Sequence, residues 1–467
     1  MAAAVSASTL RITDEQFGTA LNKLRALVAI PSVSFPDTPY FSIATLQRAA
    51  AFVKTEFDAL GFKTRLVEMK PGTAPYVIAE KVSHAALPTI LLYAHYDVQP
   101  VDEKEWRTKP FELTQIGDRI YGRGASDDKA GIVAILTALR ALQEAGQELP
   151  VNIKVLVEGD EEYGAMKIRD MVQQEKGSLA ADCLVILDGG NRTVDHGTLE
   201  TSTRGIVSLE LTVNALNQPV HSGTGGLAPD PAQALAALIT SLREPRRIRG
   251  FTDGCLALSP QERALLRESS TSEEEYRAEN GVIKGATLRG SPNESVFERV
   301  VEEPSITIVN MTSGERNGSN SVQASARCKI GVRLTPGQDP DHVQRVIQQH
   351  FERQLIGCPF TLERVGLACK AWKGSLDGPY TQAYLAALRE TYPKIALMPT
   401  GGALPLIPDF EEAFPKMETI IVGVEDPHTA AHSHNESQSL PVLRRAIDAL
   451  IGFLGKAAKA ASAKRDA

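Results

Sequence analysis

The sequence predicts an α/β protein: a doubly wound, mainly parallel sheet into which a separate α+β domain is inserted. Three observations carry this. From Pro88 to Leu187, apolar runs of strand length alternate with segments of helical periodicity, the pattern of parallel strands joined by crossover helices. Near Arg204 the character changes, and Val207–Val213 and Cys328–Leu334 alternate apolar and polar residues with a period of two. Beyond Ala371 a helix and a buried strand resume the first pattern. A chain of 467 residues is also too long for one core of ordinary size. The expected boundaries are residues 1–203 and 372–467 for the first domain, in two parts, and 204–371 for the insertion.

Each element has its own signal. A helix begins at Asp14, and after the loop IPSVSFPDTPYF an amphipathic helix runs through LQRAAAFVKTEFDALG until its glycine ends it. Pro88–Ala94 is almost wholly apolar, as a strand covered on both faces must be. In KAGIVAILTALRALQEAG, Ile132, Ile135, Leu136, Leu139 and Leu142 recur at helical spacing. Strands follow at Asn152–Val157 and Asp182–Leu187. Between its alternating strands the insertion carries helical segments at Pro231–Leu242 and Ser259–Glu268, then a charged, turn-rich stretch from Ser269 to Glu303. PYTQAYLAALRETYP reads as a helix and METIIVGV as a further buried strand.

A formal charge of −7 leaves no electrostatic footprint for nucleic acid or an anionic membrane, so a small-molecule or peptide substrate is expected. Five cysteines, an odd number without a C-x-x-C pair, do not suit a disulfide framework and are expected to be buried and reduced. MAAAVSASTLRITDEQ lacks the basic and apolar regions of a signal peptide, and no run approaches the roughly 18 apolar residues of a membrane span. A cytoplasmic location is the expectation. The Ala/Lys-rich end GKAAKAASAKRDA reads as a frayed helical tail.

The chemistry lies where the strands of the first domain end. LLYAHYDVQP places His95 and Asp97 on one side of a strand as it runs out, and ligands of open α/β sheets bind at that edge. GRGASDDKAG holds Asp127 and Asp128 at a helix entry, EGDEEYGA holds Glu161 and Glu162, and Asp188 closes the next strand. EDPHTAAHSHNES brings His428, His432, His434 and Glu436. Such a concentration of acids on one edge needs a cation to neutralise it. Mixed carboxylates and imidazoles suit zinc, with manganese or cobalt as substitutes. Two metals about 3.5–4 Å apart would polarise a carbonyl and lower the pKa of a water toward about 7, which is chemistry for hydrolysing an amide. A carboxylate that is not a ligand must then move the proton, and Glu161 and Glu162 could divide these duties. Asp97 is placed to orient the His95 imidazole.

H-Y-D-V, G-R-G-A-S-D-D-K, E-G-D-E-E-Y-G, Asp188 and A-H-S-H-N-E, in this order, closely resemble the di-zinc metallopeptidase family of carnosinases and cytosolic dipeptidases, aminoacylases, glutamate carboxypeptidases and succinyl-diaminopimelate desuccinylase. The resemblance runs from about Phe17 to the last helix, and the D-D-K form is most similar to the carnosinase-type branch. It implies a catalytic domain with an inserted lid/dimerisation domain and two Zn2+ per subunit. By position, His95 and Asp188 would hold one ion, Glu162 and His432 the other, and Asp127 would bridge them. Glu161 would be the general acid/base and Asp97 the residue that holds His95. His428 and His434 are the alternative ligands to His432. The family pattern also implies a cis Asp127–Asp128 peptide bond.

Within the insertion, NQPVHSGTGG carries His221, which by resemblance would reach the partner subunit's active site and stabilise the tetrahedral oxyanion, implying a homodimer formed through this domain. In CKIGVRLTPG, Arg333 matches the family's binder of the substrate carboxylate, a group that a guanidinium fork suits. Asn320 in GSNSVQ matches a polar substrate contact. Two positions depart from the pattern: Gln323 replaces a proline, and Gly401-Gly402-Ala403-Leu404-Pro405 lacks the serine of the family's G-G-S-I-P loop. The expected function is hydrolysis of dipeptides or short peptides with a free C-terminal carboxylate, with lid closure assembling the site. Removal of N-acyl groups from amino acids is the nearest rival, and a non-catalytic binding protein would have lost a ligand or the base, all of which are present.

Overall fold

A computed structural model describes residues 9–147, 151–164, 167–314 and 320–465. The first eight and last two residues, the ends of the two terminal segments discussed above, lie outside the described residues. Internal contacts divide the chain into two units. The first is Met1–Thr201 with Gly374–Met398 and Asp409–Ala467, and the second is Ser202–Lys373 with Pro399–Pro408.

The main sheet runs in the order Lys63–Val67, Tyr76–Lys81, Asn152–Glu158, Thr89–His95, Cys183–Gly190, Glu418–Glu425 and His196–Thr203. Its centre is parallel: Thr89–His95 pairs in parallel with Asn152–Glu158 and with Cys183–Gly190, and the latter pairs in parallel with Glu418–Glu425. Antiparallel strands complete both sides. Burial follows from this position. Ile90, Leu92 and Ala94 enter the main core, while Leu91 and Tyr93 on the other face are equally inaccessible, so both parities of the strand are apolar. The helices Asp14–Val28, Lys129–Glu144, Pro379–Thr391 and Leu440–Arg465 contribute to that same core. The first starts with a reciprocal cap in which Thr13 accepts from the Gln16 N–H and the Gln16 side chain accepts from the Thr13 N–H. The last runs through most of the Ala/Lys-rich tail to Arg465.

The second unit holds a four-stranded antiparallel sheet, in the order Ser305–Thr312, Ser325–Leu334, Gly205–Asn214 and Phe360–Cys369. Val207, Leu209, Leu211 and Val213 on one strand and Cys328, Ile330, Val332 and Leu334 on the next are all buried on a single face. They pack with Leu235 and Leu238 of helix Pro231–Ser241 and with Val343, Ile347 and Phe351 of helix Pro340–Glu352. The expected turn-rich stretch after Ser269 is more ordered than its composition suggests. It contains helices Glu273–Glu279 and Val296–Glu302, each opened by a reciprocal serine–glutamate cap at Ser272/Glu275 and Ser295/Glu298. No disulfide joins the five cysteines; Cys183, Cys328 and Cys369 are buried as expected, while Cys255 and Cys358 are only half-buried. No helix among the described residues is long and apolar enough to cross a membrane.

Candidate metal centre

The residues of the centre come from a strand end, His95, from within a strand, Asp188, from a helix entry, Asp127, and from loops that follow strands, Glu162 and His432. His95 is the last residue of its strand. Its Nδ1 lies 3.1 Å from the Asp97 carbonyl oxygen and 3.5 Å from Asp97 Oδ1, so the carbonyl is the nearer acceptor. With Nδ1 donating there, Nε2 faces Asp127 Oδ1 at 3.0 Å and Asp188 Oδ1 at 3.7 Å. The Asp97 carboxylate also accepts two backbone hydrogen bonds, Oδ1 from the Glu161 N–H at 3.2 Å and Oδ2 from the Glu162 N–H at 3.0 Å. It thereby fixes the backbone of both glutamates. That loop approaches closely at Gly159, where a Cβ would overlap the Tyr96 hydroxyl.

Asp188 lies inside its strand, Cys183–Gly190, where the pairing with Glu418–Glu425 slips by a residue between Ile421 and Gly423. Such a bulge re-aims a side chain that regular pairing would direct elsewhere. Asp127 and Asp128 are joined by a cis peptide bond, as the motif implies. Asp128 caps helix Lys129–Glu144 through the Gly131 N–H and also accepts the His95 N–H at 3.2 Å. His432 has φ of +59°, with Ala430 at +55° and Asn435 at +62° nearby. The left-handed region is disfavoured for side-chain-bearing residues, and such outliers gather where a particular geometry is required. In this loop His432 Nε2 lies 3.0 Å from both Asp127 Oδ2 and Glu162 Oε2. Gln99 Nε2 donates to Glu162 Oε2 at 2.6 Å.

The donor atoms therefore form two groups, His95 with Asp127 and Asp188, and Asp127 with Glu162 and His432, each lying within 4.8 Å. Neither His428 nor His434 belongs to them. His221, Asn320 and Arg333 are in the second unit. Pairing of Val220–His221 with Ser321–Val322 and a 3.1 Å hydrogen bond from the Ser222 N–H to the Asn320 carbonyl bring the first two together. Arg333 lies opposite Ser305 and Ile206 on the strand face away from the unit's core, and partial burial lowers its guanidinium pKa.

Beneath the centre, Glu436 is fully buried. It accepts from Arg123 Nη1 at 2.8 Å and from the N–H groups of Gly124, Ser126 and Asp127 at 3.0, 2.9 and 3.1 Å. Pairing of Ser437–Ser439 with Arg119–Tyr121 brings it there. The sequence places Glu436 in the histidine loop without indicating a role, and its motif, N-E shortly after His432 and His434, is the available signal. Gln99 and Arg123 were missed; both sit inside motifs recognised for their neighbours.

Electrostatics test whether a cation fits. Burial pushes the Glu161 carboxyl well above its usual range, and Asp188, Glu162 and Asp97 add to this against the pull of His95. Burial and the Asp127 charge raise Glu162 to about 7. Asp188 is raised chiefly by burial. Burial alone would lower His95, but Asp188 and the hydrogen bonds to Asp127 and Asp188 raise it well above its ordinary value. Hydrogen bonds to Asp127 and Glu162 raise His432 to about 11. Carboxylates thus outnumber the basic groups in a buried place, and two oxygen–nitrogen donor sets converge on it, as divalent zinc, manganese or cobalt requires.

These directions have a measurable sign. Raised pKa values keep His95 and His432 protonated near neutral pH without a cation, and ligation needs their neutral forms. Loading the protein with Zn2+ or Mn2+ is therefore expected to release at least one proton per chain and to tighten as pH rises. Calorimetry in two buffers of different ionisation enthalpy reads this; a heat independent of buffer would contradict it.

Comparison with known proteins agrees with the geometry. The family model described as "Peptidase family M20/M25/M40" matches residues 91–456. A cysteinylglycine-S-conjugate dipeptidase of Corynebacterium striatum is 31% identical over 401 residues, covering 84% of this chain and 86% of that protein. Human Beta-Ala-His dipeptidase is 28% identical, covering 88% of this chain and 85% of that protein. Among solved structures, an M20 family metallo-carboxypeptidase from Sulfolobus solfataricus superposes with a TM-score of 0.83 at 26% identity, covering 94% of this chain and 99% of that one. The matched span includes all five residues of the two candidate donor groups, and the chain belongs to peptidase family M20/M25/M40, a family of metal-dependent hydrolases.

Proposed function

We propose that this protein is a two-metal dipeptidase that hydrolyses dipeptides or short peptides bearing a free C-terminal carboxylate. The observation that carries this reading is the shared carboxylate: Asp127 belongs to both donor groups, as two neighbouring cations in one hydrolytic centre require. His95 and Asp188 would hold one ion and Glu162 and His432 the other, with Zn2+ expected and Mn2+ or Co2+ as substitutes. Bound ions supply a Lewis acid for the scissile carbonyl and acidify a water. Glu161 takes the proton from that water and returns it to the leaving amine. Asp97 keeps Glu161 and Glu162 in register through their N–H groups, and Glu436 does the same for Asp127.

In the second unit, Arg333 would bind the substrate carboxylate, Asn320 would contact its polar backbone, and His221 would serve the oxyanion of a partner subunit. That last role supposes a homodimer formed through this unit, and the whole protein would act in the cytoplasm. A charged hydrogen bond is worth about 1.5–3 kcal/mol. Arg333→Ala is therefore expected to raise KM for a dipeptide about 10- to 100-fold with a smaller change in kcat; an unchanged KM would remove Arg333 from the substrate site.

A second reading, release of a C-terminal residue from N-blocked substrates, is favoured by the metallo-carboxypeptidase neighbour and by Ala403 standing where the family's loop carries serine. One assay separates them: amino-acid release by metal-loaded protein from a simple dipeptide and from its N-acetylated form. Cleavage of the free dipeptide alone supports a dipeptidase. Preference for the blocked form moves the assignment to a deacylase or carboxypeptidase, and cleavage of neither removes the hydrolytic reading.

A further inference from the structure

The second unit contains a cavity of about 590 Å³ that the metal centre does not use. Five arginines line it, Arg204, Arg243, Arg246, Arg289 and Arg299, against two glutamates, Glu244 and Glu303. Both acids are engaged at the rim: Glu244 pairs with Arg247 and Glu303 with Arg246 at 3.4 Å. Arg299 holds the walls, through Glu273 at 2.6 Å and the carbonyl of Glu294 at 3.0 Å. Positive charge is left over. The Arg243 guanidinium makes no hydrogen bond or ion pair with the described residues.

Arg204 carries the argument further. One terminal nitrogen donates to the Glu303 carbonyl, while its Nε is buried and meets no hydrogen-bond partner in the protein. A buried donor without an acceptor costs free energy that a bound oxyanion would recover. Burial first, and the neighbouring Arg333 second, lower this guanidinium to about 10, so an anion beside it would be favoured. Ser305 and Thr307 add hydroxyl groups on one wall, and Leu288, Val296 and Pro304 make an apolar one.

We propose that this cavity is a binding site for a small organic anion, in which a carboxylate or phosphate meets Arg204 and Arg243 and an apolar body lies against Leu288 and Val296. A guanidinium fork matches either oxyanion, and 590 Å³ is within the range of pockets that enclose small molecules. The Arg204 N–H donates to the Gly402 carbonyl at 2.9 Å, so an occupant would also steady the Gly401–Pro405 loop of the same unit.

The test is calorimetric titration of the metal-loaded full chain with 3-phenylpropionate and, separately, with inorganic phosphate. Each is repeated on Arg204→Gln, Arg243→Ala, Leu288→Glu and Arg333→Ala. The expected result is one saturable event per chain that weakens at least tenfold in the first three variants and persists in Arg333→Ala. Tighter binding of phenylpropionate identifies a carboxylate on an apolar body as the ligand chemistry, and tighter binding of phosphate identifies a phosphate ester. Absence of binding at 10 mM of either probe overturns the proposal. So does binding that is lost only in Arg333→Ala, since the anion would then be occupying the substrate site. Leu288→Glu, at a half-buried wall position, keeps the test decisive if Arg204→Gln fails to fold.

Discussion

Glu161→Gln is expected to lower kcat for a dipeptide by about 10²–10⁴-fold, the usual contribution of a positioned general acid/base. Two measurements make the result specific. Metal content should stay at the wild-type value, because Glu161 is in neither donor group. The loop should also keep its shape, because the Glu161 and Glu162 N–H groups remain bound to Asp97. The substitution therefore removes a proton carrier and little else. Undiminished turnover with metal retained would place the base elsewhere, and loss of metal would show that Glu161 is a ligand.

Glu436→Ala is expected to destabilise the protein by about 3–5 kcal/mol, the range found when one partner of a buried ion pair is removed. Arg123 would be left without its counter-ion, and the N–H groups of Gly124, Ser126 and Asp127 would lose their acceptor. That is a large share of the roughly 5–15 kcal/mol that holds an ordinary domain folded. Glu436→Gln keeps one carbonyl acceptor and should lose less. A urea midpoint reads the order wild type, Gln, Ala, and metal content should fall in the same order because Asp127 is held by that loop. Equal midpoints for all three would deny Glu436 its clamping role.

Much of the first unit was legible because its signals are local. Pro88–Ala94 reads as a buried strand from its residues alone, and His95, Glu162 and Asp188 fall at or soon after such runs, while Asp127 sits in a glycine-bounded motif at a helix entry and His432 in the histidine loop after METIIVGV. Strands at the flanks were not seen. Lys63–Val67 has only one buried residue, and His196–Thr203 is rich in threonine and serine although it is buried. The role of Glu436 was equally out of reach. Its partners lie more than 300 positions earlier, and no periodicity in either segment announces the pairing of Ser437–Ser439 with Arg119–Tyr121. Asp97 was read from spacing as the holder of His95, whereas its two strongest geometric commitments, to the Glu161 and Glu162 backbones, depend on how a loop from the neighbouring strand turns back.

The strand order bears on how a ribosome delivers this protein. Glu418–Glu425 is the last main-sheet strand to be synthesised, yet it sits between Cys183–Gly190 and His196–Thr203. At about 5–20 residues per second, the roughly 240 residues between Asp188 and His432 take on the order of 12–50 s to make. Through that interval the nascent chain has one complete donor set, His95, Asp127 and Asp188, while His432 and the Glu436 anchor do not yet exist. Until then the strand between Cys183–Gly190 and His196–Thr203 is missing and Asp127, Glu161, Glu162 and Asp188 await the counter-charge of His432, so full metal loading belongs to the finished polypeptide and not to the growing one.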